Sequence, residues 1–334
     1  MRIILVDDSA LVRNIMRQVL EGNSDITIAA EASNGLKGVE MVAEHKPDLV
    51  IMDIKMPVMD GLDATQQIMQ SHPVPIIIFS NEINSENSFK ALQHGALDIM
   101  KKPDIDQFNN PDFFIDFIKR LKSLATVKLP EIKGETKSSA GVVNPNSRYG
   151  MIVIGASTGG PKALSILLKK IPRDFPTGMV LVQHMETGFD GGFANWLNNE
   201  TELTVRLARN NDFPGRGELL VAPNEKHLIF HNGKLMLDDG PKVLNQKPSI
   251  NRLFTSAASE YGSSLIGILL TGTGSDGADG CVDIRKRGGR TLVQNEATST
   301  VFGMPKAAIE RGGADVILPL EEIPDYLVSL TGVK

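Results

Sequence analysis

MIVIGASTGGP, from Met151 to Pro161, writes a strand, a turn and a helix start one after another. Met151 to Ile154 form a short apolar, partly β-branched run, the mark of a buried strand. Gly155 and the pair Gly159–Gly160 punctuate a sharp turn. A helical pattern opens after Pro161, which suits a first helical position. Ser157 and Thr158 therefore stand where the strand hands over to the helix. GASTG also fits G-x-S-x-G, the pattern that exposes a serine hydroxyl on a tight strand-to-helix turn. Backbone N–H groups at such a start lack intrahelical partners and can stabilise an oxyanion. The same glycines equally fit a turn that packs closely or cradles a phosphate.

Downstream the strand–helix alternation continues. MVLVQHM reads as a strand ending in Gln183 and His184, followed by a helical stretch with Phe193 and Trp196. GELLVAP, KHLIF and KLMLD read as short strands with turns between them, an antiparallel edge. SINRLFTSAASEYG reads as a helix capped by Ser249. LIGILLTG is a buried strand, the loop TGSDGADG follows it, and TLVQN and DVILP are further strands. The expectation is an open, doubly wound, mostly parallel α/β sheet, with function at the carboxyl ends of its strands.

A serine nucleophile needs a base to take its proton and an acid to orient that base. Of the six histidines, His45, His72 and His94 fall far along the chain, and His231 follows an edge strand. His184 closes a strand expected beside that of Ser157, because consecutive βαβ units are usually neighbours. His227 remains a rival. For the acid, Asp276 follows LIGILLTG among glycines that permit close approach. Asp279 and Asp283 are rivals, expected within the next helix. The order Ser157, His184, Asp276 differs from that of α/β-hydrolases, where the acid precedes the histidine. Cys281 reads as a small buried side chain and Trp196 as packing. No clustered His/Cys set points to a metal in this half.

GASTGGP, QHM, RLFTSAASEYG, TGTGSDGADG and QNEATSTVFGMP resemble the catalytic domain of the chemotaxis protein-glutamate methylesterase family, CheB, over about residues 149–330. The resemblance places the nucleophile on Ser157, the base on His184 and the acid on Asp276. Thr158 supports the site, and backbone N–H groups near Thr158 and Thr273 form the oxyanion hole. It implies demethylation of glutamyl methyl esters on chemoreceptors, with deamidation of glutamines, and no cofactor for that reaction. Many relatives carry methionine at Thr273, where threonine is harmless if only the main-chain donor matters; many carry a basic or histidine residue at Gln246, so contacts to an acidic receptor surface are expected to differ there.

Toward the N-terminus, RIILVD, ITIAAEA, DLVIMD, VPIIIFS and ALDIMK alternate with helical patterns, implying a five-stranded parallel sheet covered on both faces. Its strand ends carry Asp7–Asp8, Asp53, Ser80 and Lys101–Lys102 before Pro103. Carboxylates converging at one edge repel one another unless a hard cation such as Mg²⁺ sits among them, and a lysine and a hydroxyl nearby suit a phosphoryl group. With MDIKMPVMDG around Asp53, the pattern resembles the flavodoxin-like receiver domain of two-component response regulators. That resemblance implies phosphorylation of Asp53 by a sensor histidine kinase. It also implies Mg²⁺ on Asp8, Asp53 and the Lys55 carbonyl, with Asp7 acting through water, and phosphoryl sensing by Ser80 and Lys102. Ile99 stands where many receivers have an aromatic switch residue, which counts against an aromatic-flip mechanism.

Three segments follow: a receiver over residues 1–122, a flexible linker over 123–148 and a methylesterase domain over 149–334. KLPEIKGETKSSAGVVNPNS has the Pro/Gly/Ser/Lys/Asn composition of an exposed connector. Residues 1–123 hold 12 basic against 18 acidic side chains and residues 151–334 hold 19 against 20, so neither carries the excess of positive charge that nucleic acid requires. The single Cys281 excludes an internal disulfide and fits a reducing compartment. No apolar run is long enough to span a bilayer, and two aspartates interrupt the N-terminus before a signal core forms. A cytoplasmic protein without membrane insertion is expected.

Overall fold

The computed structural model describes residues 1–81, 86–103, 111–127, 129 and 149–331. It divides into two compact units, Met1–Ile132 and Lys133–Lys334. The linker expected at 123–148 lies almost wholly outside the described residues. At its start the helix of the first unit runs on to Ala125 because Leu124 is buried, past the boundary expected at 122.

The first unit runs β1 (Arg2–Val6), α1 (Ala10–Glu21), β2 (Thr27–Ala32), α2 (Gly35–His45), β3 (Leu49–Met52), α3 (Gly61–Ser71), β4 (Ile76–Ser80), α4 (Glu86–Gln93), β5 (Asp98–Lys101) and α5 (Pro111–Ala125). Its sheet has the order β2-β1-β3-β4-β5, and every pair is parallel. Helices on both faces bury β3 and β4 completely, which is why those strands read as unbroken apolar runs. The order reverses at β1, so the crevice at the carboxyl ends of β1 and β3 is where such a sheet binds ligands.

The second unit runs β6 (Met151–Ala156), α6 (Gly160–Leu168), β7 (Met179–Gln183), α7 (Asp190–Glu200), β8 (Thr204–Leu207), β9 (Glu218–Val221), β10 (His227–His231), β11 (Lys234–Asp238), α8 (Ile250–Tyr261), β12 (Leu265–Leu269), α9 (Ala278–Lys286), β13 (Arg290–Gln294), α10 (Met304–Glu310), β14 (Val316–Leu318) and α11 (Ile323–Thr331). Seven strands form one sheet in the order β14-β13-β12-β6-β7-β9-β8, with every neighbouring pair parallel.

The expected antiparallel edge is corrected here. GELLVAP supplies β9, which lies inside the parallel sheet between β7 and β8. KHLIF and KLMLD pair with each other as a separate antiparallel hairpin, β10–β11. The edge strand β8 is too short and too mixed in its burial to announce itself in the sequence.

Strand β6 is central, and the chain leaves it for β7 on one side and later returns as β12 on the other. Every residue of β6, β7 and β12 is buried. Each fully buried aliphatic side chain there contributes roughly 1.5–3 kcal/mol of transfer free energy. Packing thus anchors the three strands whose carboxyl ends flank the second switch point.

Candidate functional site

Three loops meet at that switch point. Ser157 follows β6, His184 follows β7 and Asp276 lies between β12 and α9. The parallel register pairs Ala156 with Gln183, and the His184 N–H donates to the Ala156 carbonyl at 2.9 Å, so His184 lies abreast of Ser157.

The turn that carries Ser157 is shaped by its glycines. Gly159, the N-cap of α6, has φ 75°, and a Cβ there would come within 2.4 Å of the Thr300 side chain. A Cβ on Gly160 would sit 2.0 Å from Gln183 Oε1. The close approach matters because Gln183 Nε2 donates to the Ser157 and His184 carbonyls, both at 2.8 Å, and so ties the two turns together.

Asp276 is a buried hub. His184 Nε2 donates to its Oδ2 at 2.9 Å, beside the Ile250 N–H at 2.7 Å. Its Oδ1 accepts from Ser249 Oγ at 2.9 Å and from the N–H groups of Asn251 and Gly277 at 3.0 and 3.1 Å. Burial alone would raise its pKa. The His184 imidazole and the N–H groups of Asn251 and Ile250 outweigh that and hold it below the ordinary value. An ionised Asp276 can only accept, so the proton of a neutral His184 lies on Nε2. That leaves the Nδ1 lone pair, which is buried and has no protein partner.

The expected hydrogen-bonded chain from Ser157 through His184 to Asp276 is closed only at its second joint. Among the described residues the Ser157 hydroxyl makes no bond to the imidazole. Catalytic hydrogen bonds are often long or misaligned without substrate and tighten once it binds. Thr158 is buried, and its hydroxyl lies 3.2 Å from that of the exposed Thr273. Neither the Thr158 nor the Thr273 N–H is taken by an acceptor among the described residues.

The rivals lie elsewhere. His227 is fully buried, with Nδ1 accepting from the Ser249 N–H and Nε2 donating to the Pro241 carbonyl, so neither nitrogen is free to act as a base. His231 ends β10 at the surface. Asp279 and Asp283 sit on α9, one paired with Arg311 and the other accepting from Thr255. Cys281 is fully buried, and burial pushes its thiol far above the ordinary value. Trp196 packs against Phe193. Gln246 lies in the loop before α8 and makes backbone bonds with Val243.

In the first unit Asp7 and Asp8 follow β1, Asp53 follows β3, Ser80 ends β4 and Lys102 follows β5. Lys102 Nζ bridges Asp7 and Asp53 at 2.7 and 2.8 Å. Burial raises the Asp53 carboxyl despite Lys102. Burial lowers the Lys102 ammonium, but its bonds to Asp53 and Asp7 outweigh that and raise it. Ligand oxygens of Asp7, Asp8 and Asp53 gather within 4.8 Å of one another, with Asp8 exposed. This all-oxygen set is consistent with Mg²⁺. Lys55 lies in the exposed loop after Asp53, Ser80 is buried, and its carbonyl accepts from the Lys102 N–H at 3.1 Å. Ile99 is a half-buried residue of β5.

These features define a response regulator whose second unit is a parallel α/β domain with a serine, a histidine and an aspartate at one switch point. The family model described as CheB methylesterase matches residues 152–327, and that of the response regulator receiver domain matches residues 3–110. The chain belongs to the CheB methylesterase family. It is 40% identical over 335 residues to the protein-glutamate methylesterase/protein-glutamine glutaminase 2 of Anaeromyxobacter dehalogenans, covering 99% of this chain and 97% of that one. The corresponding protein of Pyrococcus abyssi is 37% identical over 340 residues, covering 98% and 92%. The crystal structure of the Thermotoga maritima CheB methylesterase catalytic domain matches with TM-score 0.53 at 38% identity, covering 55% of this chain and 98% of that one.

What the sequence missed is the surroundings of Asp276. Ser249 was legible as a cap, but nothing in its neighbourhood showed that it caps a helix aimed at a carboxylate 27 residues downstream.

Proposed function

We propose that the chain demethylates glutamyl methyl esters and deamidates glutamines on chemoreceptors through Ser157, His184 and Asp276, and that phosphorylation of Asp53 activates it. The observation that carries this reading is the His184–Asp276 bond at 2.9 Å, which leaves Nδ1 as the unpartnered basic nitrogen abreast of Ser157. Nδ1 takes the hydroxyl proton as Ser157 Oγ attacks the ester carbonyl. The tetrahedral oxyanion is held by the N–H groups of Thr158 and Thr273. Nδ1 then returns the proton to the departing methoxide, and methanol leaves; from a glutamine the leaving group is ammonia. Water, deprotonated by the same nitrogen, cleaves the acyl-enzyme and regenerates Ser157. Asp276 keeps the proton on Nε2 and stabilises the imidazolium that forms.

In the receiver, Asp53 takes the phosphoryl group from a sensor histidine kinase. Asp8, Asp53 and the Lys55 carbonyl, with Asp7 acting through water, would hold a Mg²⁺ ion, which would supply charge neutralisation for that transfer. Lys102 and Ser80 then contact the phosphoryl oxygens. The enzyme acts in the cytoplasm; among the described residues no helix is long and apolar enough to cross a membrane. The test is methanol release from methyl-labelled chemoreceptor membranes. Ser157→Ala should abolish it while leaving the fold intact, and a variant that retains most of its turnover would refute the assignment.

A further inference from the structure

We propose that His227 and Ser249 are positioning residues that hold Asp276, and through it His184, in register for the reaction. The inference rests on the roles given above to His184 and Asp276.

The supporting feature is a continuous polar chain that is buried from His184 to His227. His184 Nε2 donates to Asp276 Oδ2 at 2.9 Å, and Ser249 Oγ donates to Asp276 Oδ1 at 2.9 Å. The Ser249 N–H donates to His227 Nδ1 at 3.1 Å, and His227 Nε2 donates to the Pro241 carbonyl at 2.9 Å. Ser249 and His227 are both 0% exposed, and the bonds of Ser249 to Asp276 and to His227 are buried. Because Nδ1 accepts, the His227 proton is on Nε2, which fixes its tautomer and its ring orientation.

The arrangement does something that core packing does not require. Asp276 receives the Ile250 and Asn251 N–H groups, so its rotation follows the position of the first turn of α8. That turn begins at Ser249, and His227 ties Ser249 to the β10–β11 hairpin, which lies outside the seven-stranded sheet. Without the tie, the buried Ser249 N–H loses its acceptor, and the cap is left to the packing of α8 and to the group it is meant to orient. A displaced Oδ2 turns the imidazole, and misplacement of about 1 Å in a catalytic group costs up to about a hundredfold in rate.

The test uses the full chain and methanol release from methyl-labelled chemoreceptor membranes. His227→Phe keeps a ring but removes both polar atoms, whereas His227→Asn restores an acceptor close to the position of Nδ1. Folding of each variant is checked by circular dichroism. His227→Phe should lower kcat by about tenfold or more with KM within about twofold, and His227→Asn should recover most of kcat. A residue that merely fills the core would not produce this split or this rescue. Should His227→Phe fail to fold, Ser249→Ala tests the same link, since it keeps the N–H to His227 and removes the Oγ bond to Asp276. It too should lose kcat rather than KM. Wild-type kcat in folded His227→Phe or Ser249→Ala, a loss confined to KM, or an Asn variant as poor as the Phe variant would each overturn the proposal. Activity surviving in Ser157→Ala, run alongside, would instead overturn the underlying triad.

Discussion

Replacing Asp276 with asparagine is the sharpest perturbation available, because it changes one oxygen into an NH₂ inside a site of five donors. The amide has two ways to face. With NH₂ in the Oδ1 position, the amide hydrogens face the Asn251 and Gly277 N–H groups; the Asn251 N–H loses its acceptor, the Gly277 N–H keeps the Asn251 side-chain oxygen, and the Ser249 hydroxyl can turn to compensate. With NH₂ in the Oδ2 position, the Ile250 N–H alone is stranded, provided that His184 Nε2 becomes an acceptor. Each arrangement strands one N–H, but the second sets the NH₂ against one N–H group rather than two and should prevail. It would move the His184 proton to Nδ1, the nitrogen proposed above as the base. Stranding one buried N–H costs about 1–3 kcal/mol. Losing the negative charge at the start of α8 adds roughly 0.3–1 kcal/mol, more where the site is buried. A stability loss of about 2–4 kcal/mol is expected. A wrong tautomer costs on the order of 10⁴-fold in kcat.

Two assays separate these effects. Urea unfolding can be followed through Trp196, the single tryptophan of the chain, which is buried in the same unit. Methanol release gives kcat. The pH dependence adds a sign. The folded pKa of Asp276 lies below the ordinary 3.8, so its stabilising share is complete above that value and is lost as pH falls through the folded pKa. The stability gap between wild type and variant should therefore close on acidification and stay constant near neutrality. An asparagine variant within about tenfold of wild-type kcat would refute the tautomer argument. One of equal stability at neutral pH would refute the account of Asp276 as a structural hub.

Asp53→Asn should leave the full chain at its basal rate when a small-molecule phosphodonor is added, whereas the wild type is stimulated; equal stimulation of both would remove Asp53 as the phosphoacceptor. Gly160→Ala should destabilise the second unit by about 1–3 kcal/mol in urea unfolding, since its Cβ meets Gln183 Oε1. It should also slow methanol release by disturbing the amide that holds both turns. Thr273→Met should retain most activity if only the main-chain N–H acts there, and a loss comparable to that of Ser157→Ala would assign a role to the hydroxyl that faces Thr158.

The sequence exposed those parts of the site that depend on sheet register, and hid those that depend on how a helix docks. Parallel α/β sheets bring every strand's carboxyl end to one edge, so residues such as Asp7, Asp53, Lys102, Ser157 and His184 can be placed together by finding strand ends. Asp276 fell to the same logic. By contrast, the first turn of α8 reaches Asp276 only because the helix packs across β6 and β12, and a Cβ on Gly155 would meet Ile250 at 2.4 Å. No local signal reports that contact. His227 is indistinguishable in sequence from a second base, and only its two hydrogen bonds separate the roles. The antiparallel edge failed for a related reason. Short strands of similar composition reveal that they pair, but β9 lies in the parallel sheet between β7 and β8, and β8 falls in a segment with no clear alternation.

The receiver's electrostatics bound what phosphorylation can achieve. Lys102 serves Asp7 and Asp53 together, so both buried carboxylates are matched by one cation. A phosphoryl group on Asp53 would convert that carboxylate to an acyl phosphate, a mixed anhydride, and place about two negative charges farther from the β3 end. Lys102 must then divide between Asp7 and the phosphoryl oxygens, and any change passed to the second unit can draw only on the difference between those two arrangements. Couplings of this kind are about 1–3 kcal/mol, which limits activation to roughly 5–150-fold. Stimulation far beyond that range would require the receiver to contribute to substrate binding as well, a distinction that appears as a fall in KM rather than a rise in kcat.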